Sequence, residues 1–180
     1  MLIISQNARL AHLPIPKEAV LRVNVAWVKS VHDLDSLLTG IKQDVFLDFP
    51  EGRNKPPKPV LVLGDLLEAM KRWERIRYFG VTNVKKPEAI EKLKAQVPAR
   101  VQLVPKIESL AGVERLGDIL ATLPYEKKYI MLDKEDLYTD LSHDNEGLDR
   151  CVRRVRQVCR DAGVEVLELA GVIFESHREG

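Results

Sequence analysis

The chain has 180 residues, a mass of 20.4 kDa and 45% hydrophobic residues, enough to bury the core of one domain and hardly two, so residues 1–180 are expected to form a single domain. Its 28 Lys and Arg against 27 Asp and Glu leave a net charge of +1, which gives no general attraction to nucleic acid or to an anionic membrane; any anion recognition has to be local. No stretch approaches the roughly eighteen apolar residues of a membrane span, and Met1 to Ala11 has neither a basic n-region nor a long enough apolar core for a signal, so a soluble cytoplasmic protein is expected.

Short β-rich runs then alternate with amphipathic ones, the pattern of an α/β architecture on a parallel sheet. In chain order the reading gives strands over Leu2 to Ser5 and Val20 to Val25, a helix over Val31 to Gly40, and a strand over Val45 to Phe49. A loop follows from Pro50 to Pro59, where four prolines and a glycine exclude continued strand or helix and where Arg53, Lys55 and Lys58 offer positive charge. Next come a helix over Leu61 to Lys71, a strand over Arg77 to Val81, a helix over Pro87 to Gln96 and a strand over Val101 to Ile107. A helix over Ala111 to Ala121, a strand over Tyr129 to Leu132, a helix over Asn145 to Ala162 and a strand over Val164 to Leu169 complete the order.

The last helix has the clearest pattern: Leu148, Cys151, Val152, Val155 and Cys159 form one apolar stripe, with Asp144 or Asn145 as cap and Gly163 as stop. Cys151 and Cys159 lie too far apart within that helix to pair with each other and read as small core hydrophobes. The opposite face, with Arg150, Arg153, Arg154, Arg156 and Arg160, is interrupted by Glu146, Asp149 and Asp161 and reads as solvated rather than as a nucleic-acid surface. His12, His32, His143 and His177 are scattered, with no carboxylate or nucleophile at a telling spacing. There is no nucleophile elbow and no glycine-rich phosphate loop.

The chemistry-bearing residues gather where apolar runs end. Val104-Pro105-Lys106-Ile107-Glu108 and Met131-Leu132-Asp133-Lys134-Glu135-Asp136-Leu137 each carry an acid at the C-terminal end of a strand, where an α/β barrel keeps its active site. Two such carboxylates, Glu108 and Asp136, can share a hard divalent cation. Arg22 and Asn24, then Asp48, then Thr82 and Asn83 occupy the corresponding ends of earlier strands. The i, i+2 spacing of Arg22 with Asn24 and of Lys106 with Glu108 sends each pair to one side of its strand. Inside a barrel such charges need partners; a plain ion pair between Lys106 and Glu108, with Asp136 as a helix cap, is the competing reading.

These segments resemble the phosphoenolpyruvate/pyruvate-binding barrel superfamily, most colinearly the barrel domain of pyruvate kinase. Leu21-Arg22-Val23-Asn24 looks like its Arg-x-Asn strand, Leu47-Asp48-Phe49-Pro50-Glu51-Gly52 its third-strand Asp motif, Val104 to Glu108 its Lys-Ile-Glu motif, and Glu135-Asp136-Leu137 its Gly-Asp-Leu motif; Ile173-Phe174-Glu175-Ser176 is similar to its Met-Leu-Glu-Ser. The Lys106 to Asp136 block is also similar to the citrate lyase β-subunit and the 2-oxo-acid aldolases. The resemblance implies a TIM-type barrel, compact or incomplete with about seven strands, because 180 residues fall short of the roughly 200 or more of a full one. It implies Mg2+ (or Mn2+) on Glu108 and Asp136, with Lys106 and Arg22 as catalytic groups. Substrate contacts would come from Arg22, Asn24, Asp48, Arg53 and Thr82. The ligand it implies is a small anion of pyruvate, phosphoenolpyruvate or 2-oxo-acid type.

The departures select among activities. Ala26 and Trp27 stand where the kinase carries Ser and His, Phe49 stands for a threonine, Glu135 for a glycine, and Ala170-Gly171 is followed by no catalytic threonine; the lid and C-terminal domains have no counterpart. Enolate chemistry, as in a carbon–carbon lyase or related transferase, is therefore the leading expectation. A catalytically degenerate barrel that binds a ligand or partner comes second, and a pyruvate-kinase-type phosphotransferase third. An eighth strand is not legible, so a homodimer, or a partner subunit completing the barrel, is expected.

Overall fold

The computed structural model describes residues 1–5, 16–51 and 57–168. Seven parallel strands lie in sequence order in one curled sheet: β1 (Ile3–Ser5), β2 (Val20–Asn24), β3 (Val45–Phe49), β4 (Ile76–Val81), β5 (Gln102–Ile107), β6 (Lys128–Leu132) and β7 (Val164–Glu168). The helices are α1 (Val31–Gly40), α2 (Leu63–Arg72), α3 (Pro87–Lys94), α4 (Leu110–Glu114), α5 (Leu116–Ala121), α6 (Lys134–Asp140) and α7 (Asn145–Asp161), with a 3-10 turn over Val25–Trp27. This is an incomplete TIM-type barrel, as the sequence predicts. Among the described residues no ladder joins β7 back to β1.

Two apolar layers explain the strand sequences. Residues facing outward, such as Leu21, Val23, Val45, Leu47, Phe79, Leu103, Ile107, Ile130 and Leu132, pack with the helices in the larger core. Those facing inward, Val20, Phe46, Val104, Tyr129 and Leu167, form a second cluster joined by Ile3, Tyr78 and Met131, so every strand contributes to the interior of the curl. All five residues of β3 are buried, as expected for a parallel strand covered on both faces. Pro105 in β5 has no N–H to donate, and the β5–β6 ladder begins only after it, at Lys106 and Met131.

Three expectations change. The helix expected over Ala111 to Ala121 is broken at Arg115 into α4 and α5. Val113, Leu116, Ile119 and Leu120 keep helical spacing across the break, so periodicity gives no warning of it; Gly112 and Gly117, poor helix formers, flank it. Helix α6 stands outside the expected element order, though the competing reading of Asp136 as a helix cap implies one there; Leu137 is its one buried residue and leaves no stripe to detect. The stretch expected as strand up to Val25 instead turns at Asn24, whose side chain accepts a hydrogen bond from the Ala26 N–H at 3.0 Å. Residues 52–56 of the proline loop, with Arg53 and Lys55, and the segment from Leu169 to Ser176 lie outside the described residues.

In α7 both cysteines are buried and free, and burial pushes the Cys159 thiol up to about 11, which fits a core role. Among the described residues no helix is long and apolar enough to cross a membrane.

Candidate functional site

The alternation of side chains along β2, β3 and β5 turns Arg22, Asp48, Lys106 and Glu108 into the curl above the inner apolar cluster. There they form one chain of charge. Arg22 Nε donates to Asp48 Oδ2 at 3.0 Å and a second guanidinium nitrogen contacts the same oxygen; Arg22 Nη1 also donates to Ser5 Oγ at 2.9 Å. Lys106 Nζ lies 3.6 Å from Asp48 Oδ1 and 2.7 Å from Glu108 Oε1. Asp48, Lys106 and Glu108 are all buried.

Asp48 on β3 reaches Lys106 on β5 across the intervening strand because the residue between them is Gly80, the ladder partner of both Asp48 and Val104. A Cβ at Gly80 would sit 2.9 Å from the Phe46 ring and 3.3 Å from Asp48 Oδ1. Gly80→Ala should therefore destabilise the protein by about 1–3 kcal/mol, the usual cost of overpacking a filled core, measured by denaturant unfolding; an unchanged midpoint would show that Phe46 and Asp48 yield freely.

Electrostatics follow from that burial. Burial pulls the Lys106 ammonium down, but Asp48 and Glu108 outweigh it and hold its pKa above the ordinary lysine value, so the group stays a cation near neutral pH. Burial pushes the Glu108 carboxyl up, against the pull of Lys106 and of the Asn83 N–H, and its pKa is raised overall. Both Asp48 Oδ1 and Glu108 Oε1 are buried: Glu108 Oε1 has Lys106 Nζ at hydrogen-bond distance, whereas Asp48 Oδ1 meets it only as an ion pair at 3.6 Å.

The register of Lys106 with Met131, continued two residues, brings Glu108 beside Asp133 at the mouths of β5 and β6. Asp133 caps α6, its Oδ1 accepting from the Asp136 N–H at 3.2 Å, and this turn carries Asp136 toward the same point. One carboxylate oxygen each from Glu108, Asp133 and Asp136 lies within 4.8 Å of the others. Three carboxylates at that spacing, one of them on a buried glutamate, are a fitting donor set for a hard divalent cation. Against the two cations Arg22 and Lys106 stand the four carboxylates of Asp48, Glu108, Asp133 and Asp136, an excess of negative charge that such a cation would neutralise.

No family model matches the chain, and no curated protein does. Among solved structures it is similar to RipC from Yersinia pestis, with a TM-score of 0.60 and 17% identity over 88% of this chain and 72% of that one. It is also similar to a HpcH/HpaI aldolase/citrate lyase family protein from Burkholderia cenocepacia J2315, with a TM-score of 0.65 and 17% identity over 91% of this chain and 74% of that one. At that identity the likeness is one of fold.

Of the residues singled out in the sequence, Arg22, Asp48, Lys106 and Glu108 converge in the curl, and Asp136 joins Glu108 from outside it. Asp136 is not on a strand mouth as expected, but in the first turn of α6; the strand-end acid is Asp133, which sequence reading passed over. The spacing Asp133-x-x-Asp136 ahead of an acidic first turn is a helix-start signal that would have placed both. Asn24 spends its side-chain oxygen on the 3-10 turn, and Thr82 Oγ1 donates to the Phe49 carbonyl, so both side chains are engaged within the chain. Asp48 points between two cations, which makes it their counter-ion.

Proposed function

We propose that this barrel is a divalent-metal-dependent enzyme, using magnesium or manganese, that acts on the 2-oxo-acid group of a pyruvate-like or phosphoenolpyruvate-like substrate by enolate chemistry, as a carbon–carbon lyase or a related transferase. The observation that carries this reading is the meeting of Glu108, Asp133 and Asp136 at one point, next to a buried lysine that stays charged. The motif resemblance, and a structural neighbour described as an aldolase/citrate lyase family protein, support lyase chemistry ahead of phosphoryl transfer.

In this reading Glu108, Asp133 and Asp136 hold the cation. A bound magnesium or manganese ion supplies Lewis-acid polarisation of a carbonyl and stabilisation of enolate charge. The chain's own groups do the rest. Lys106, fixed between Asp48 and Glu108, presents a preorganised positive charge to an oxygen that becomes negative as a C–H or C–C bond beside the carbonyl breaks. Arg22, held by Asp48 and Ser5, is the more exposed of the two cations and faces a substrate carboxylate. Asp48 keeps both cations in place.

Enolisation has a direct readout. The full chain with Mg2+ should exchange the methyl protons of pyruvate, or the C3 protons of a longer 2-oxo acid, into D2O faster than Mg2+ alone, followed by proton NMR. No exchange with any 2-oxo acid, with the metal bound, would leave the binding-only barrel in its place. That second reading has its own support in the ion pairs that already engage both Arg22 and Lys106.

A further inference from the structure

The turn after β4 touches the candidate metal cluster without supplying a side chain to it. Asn83 has φ of 48°, in the left-handed region that ordinary L-residues enter at a cost and that Asn tolerates better than most. In that conformation its backbone N–H donates to Glu108 Oε2 at 2.7 Å. The rest of the turn is tied down on three sides. Thr82 Oγ1 donates to the Phe49 carbonyl, Val84 N donates to the Lys106 carbonyl at 3.2 Å, and the Val84 carbonyl oxygen comes so near α4 that a Cβ on Gly112 would lie 2.6 Å from it. The N–H of Asn83 is thus presented from a fixed platform to one oxygen of a buried carboxylate, while the other oxygen, Oε1, lies 2.7 Å from Lys106 Nζ.

We infer that Asn83 is a positioning residue for the metal site: its left-handed backbone holds Glu108 Oε2 on the Asn83 N–H while Lys106 Nζ holds Oε1 at 2.7 Å, and the two contacts together fix how the Glu108 carboxylate is turned where it meets Asp133 and Asp136. The inference rests on the metal reading of Glu108, Asp133 and Asp136, and adds to it the element that fixes how the Glu108 carboxylate is turned. Glu108 has free rotation about its terminal carboxylate torsion unless something holds it. Lys106, 2.7 Å from Oε1, holds one oxygen only, and the Asn83 N–H on Oε2 removes the rotation that remains. Outer groups that orient a metal-binding carboxylate commonly matter by about 10–100-fold in metal affinity.

The test separates backbone from side chain. Asn83→Gly keeps the N–H and favours the positive φ, whereas Asn83→Ala and Asn83→Val keep the N–H but disfavour the conformation that aims it. Mn2+ affinity, by calorimetry on the full chain with melting temperature read alongside, should fall roughly tenfold or more in Asn83→Ala and further in Asn83→Val, and stay within about threefold of the parent in Asn83→Gly. An Mn2+ affinity that falls while the melting temperature holds is what a merely structural asparagine would not give. Equal affinity in Asn83→Ala, while Glu108→Gln loses the metal, would overturn the inference and leave the metal reading standing. Loss in Asn83→Gly as large as in Glu108→Gln would also overturn it, and this holds even if Asn83→Ala fails to fold. A parent chain that binds no Mn2+ would overturn both.

Discussion

Glu108→Gln should reduce Mn2+ affinity by at least about a hundredfold and bring any metal-dependent turnover to background, more than the 10–100-fold that loss of an outer-shell partner brings. The substitution keeps the shape of the side chain and an oxygen able to accept the Asn83 N–H, so the turn after β4 has no reason to move. What it removes is the buried negative charge that faces Lys106 at 2.7 Å and Asp133 and Asp136 across the cluster. With Glu108 neutral, Lys106 retains Asp48 at 3.6 Å, so the cation is not left alone and the fold should survive. Calorimetry with Mn2+ and a thermal melt of the same sample give both numbers. Parent-like binding in the variant would remove Glu108 from the site.

Asp48→Ala should have the largest effect on stability of any single change in the curl. Asp48 is fully buried and is the counter-ion of Arg22 and the second counter-ion of Lys106. Its removal leaves Arg22 without a carboxylate and Lys106 with Glu108 alone, over an apolar floor of Val20, Phe46 and Val104, and breaking a buried pair from one side costs about 3–5 kcal/mol. For a chain of this size that corresponds to a fall in melting temperature on the order of 10 °C. Asp48→Asn should lose less, since an amide oxygen still accepts from Arg22. Chemical denaturation checks the order; a loss below about 0.5 kcal/mol for Asp48→Ala, the range of an ordinary surface change, would show that water reaches and solvates the curl.

The strands were legible because a parallel strand covered on both faces must be apolar nearly throughout, as in Val45 to Phe49, and the turn-forming residues bound such runs. The inward direction of Arg22, Asp48, Lys106 and Glu108 was legible from period-two alternation. What escaped was set by contacts between distant segments. The kink at Arg115 leaves the apolar spacing of α4 and α5 intact, and α6 buries one residue. Asp133 becomes a site residue only through the register of β6 on β5, and Gly80 only because Asp48 and Lys106 have to meet across it. The role of Asn83 depends on a positive φ that no pattern of side chains displays.

The most direct measurement is a titration of the full chain with Mn2+, followed by calorimetry or by the paramagnetic resonance of the ion, without and with oxalate, a planar dianion that mimics enolpyruvate. A single Mn2+ site is expected, with an affinity that rises when oxalate is present, because the anion would add oxygen donors to an ion that Glu108, Asp133 and Asp136 would hold and would be attracted by Arg22 and Lys106. No saturable Mn2+ binding, or binding that persists unchanged in Glu108→Gln and ignores oxalate, would contradict it.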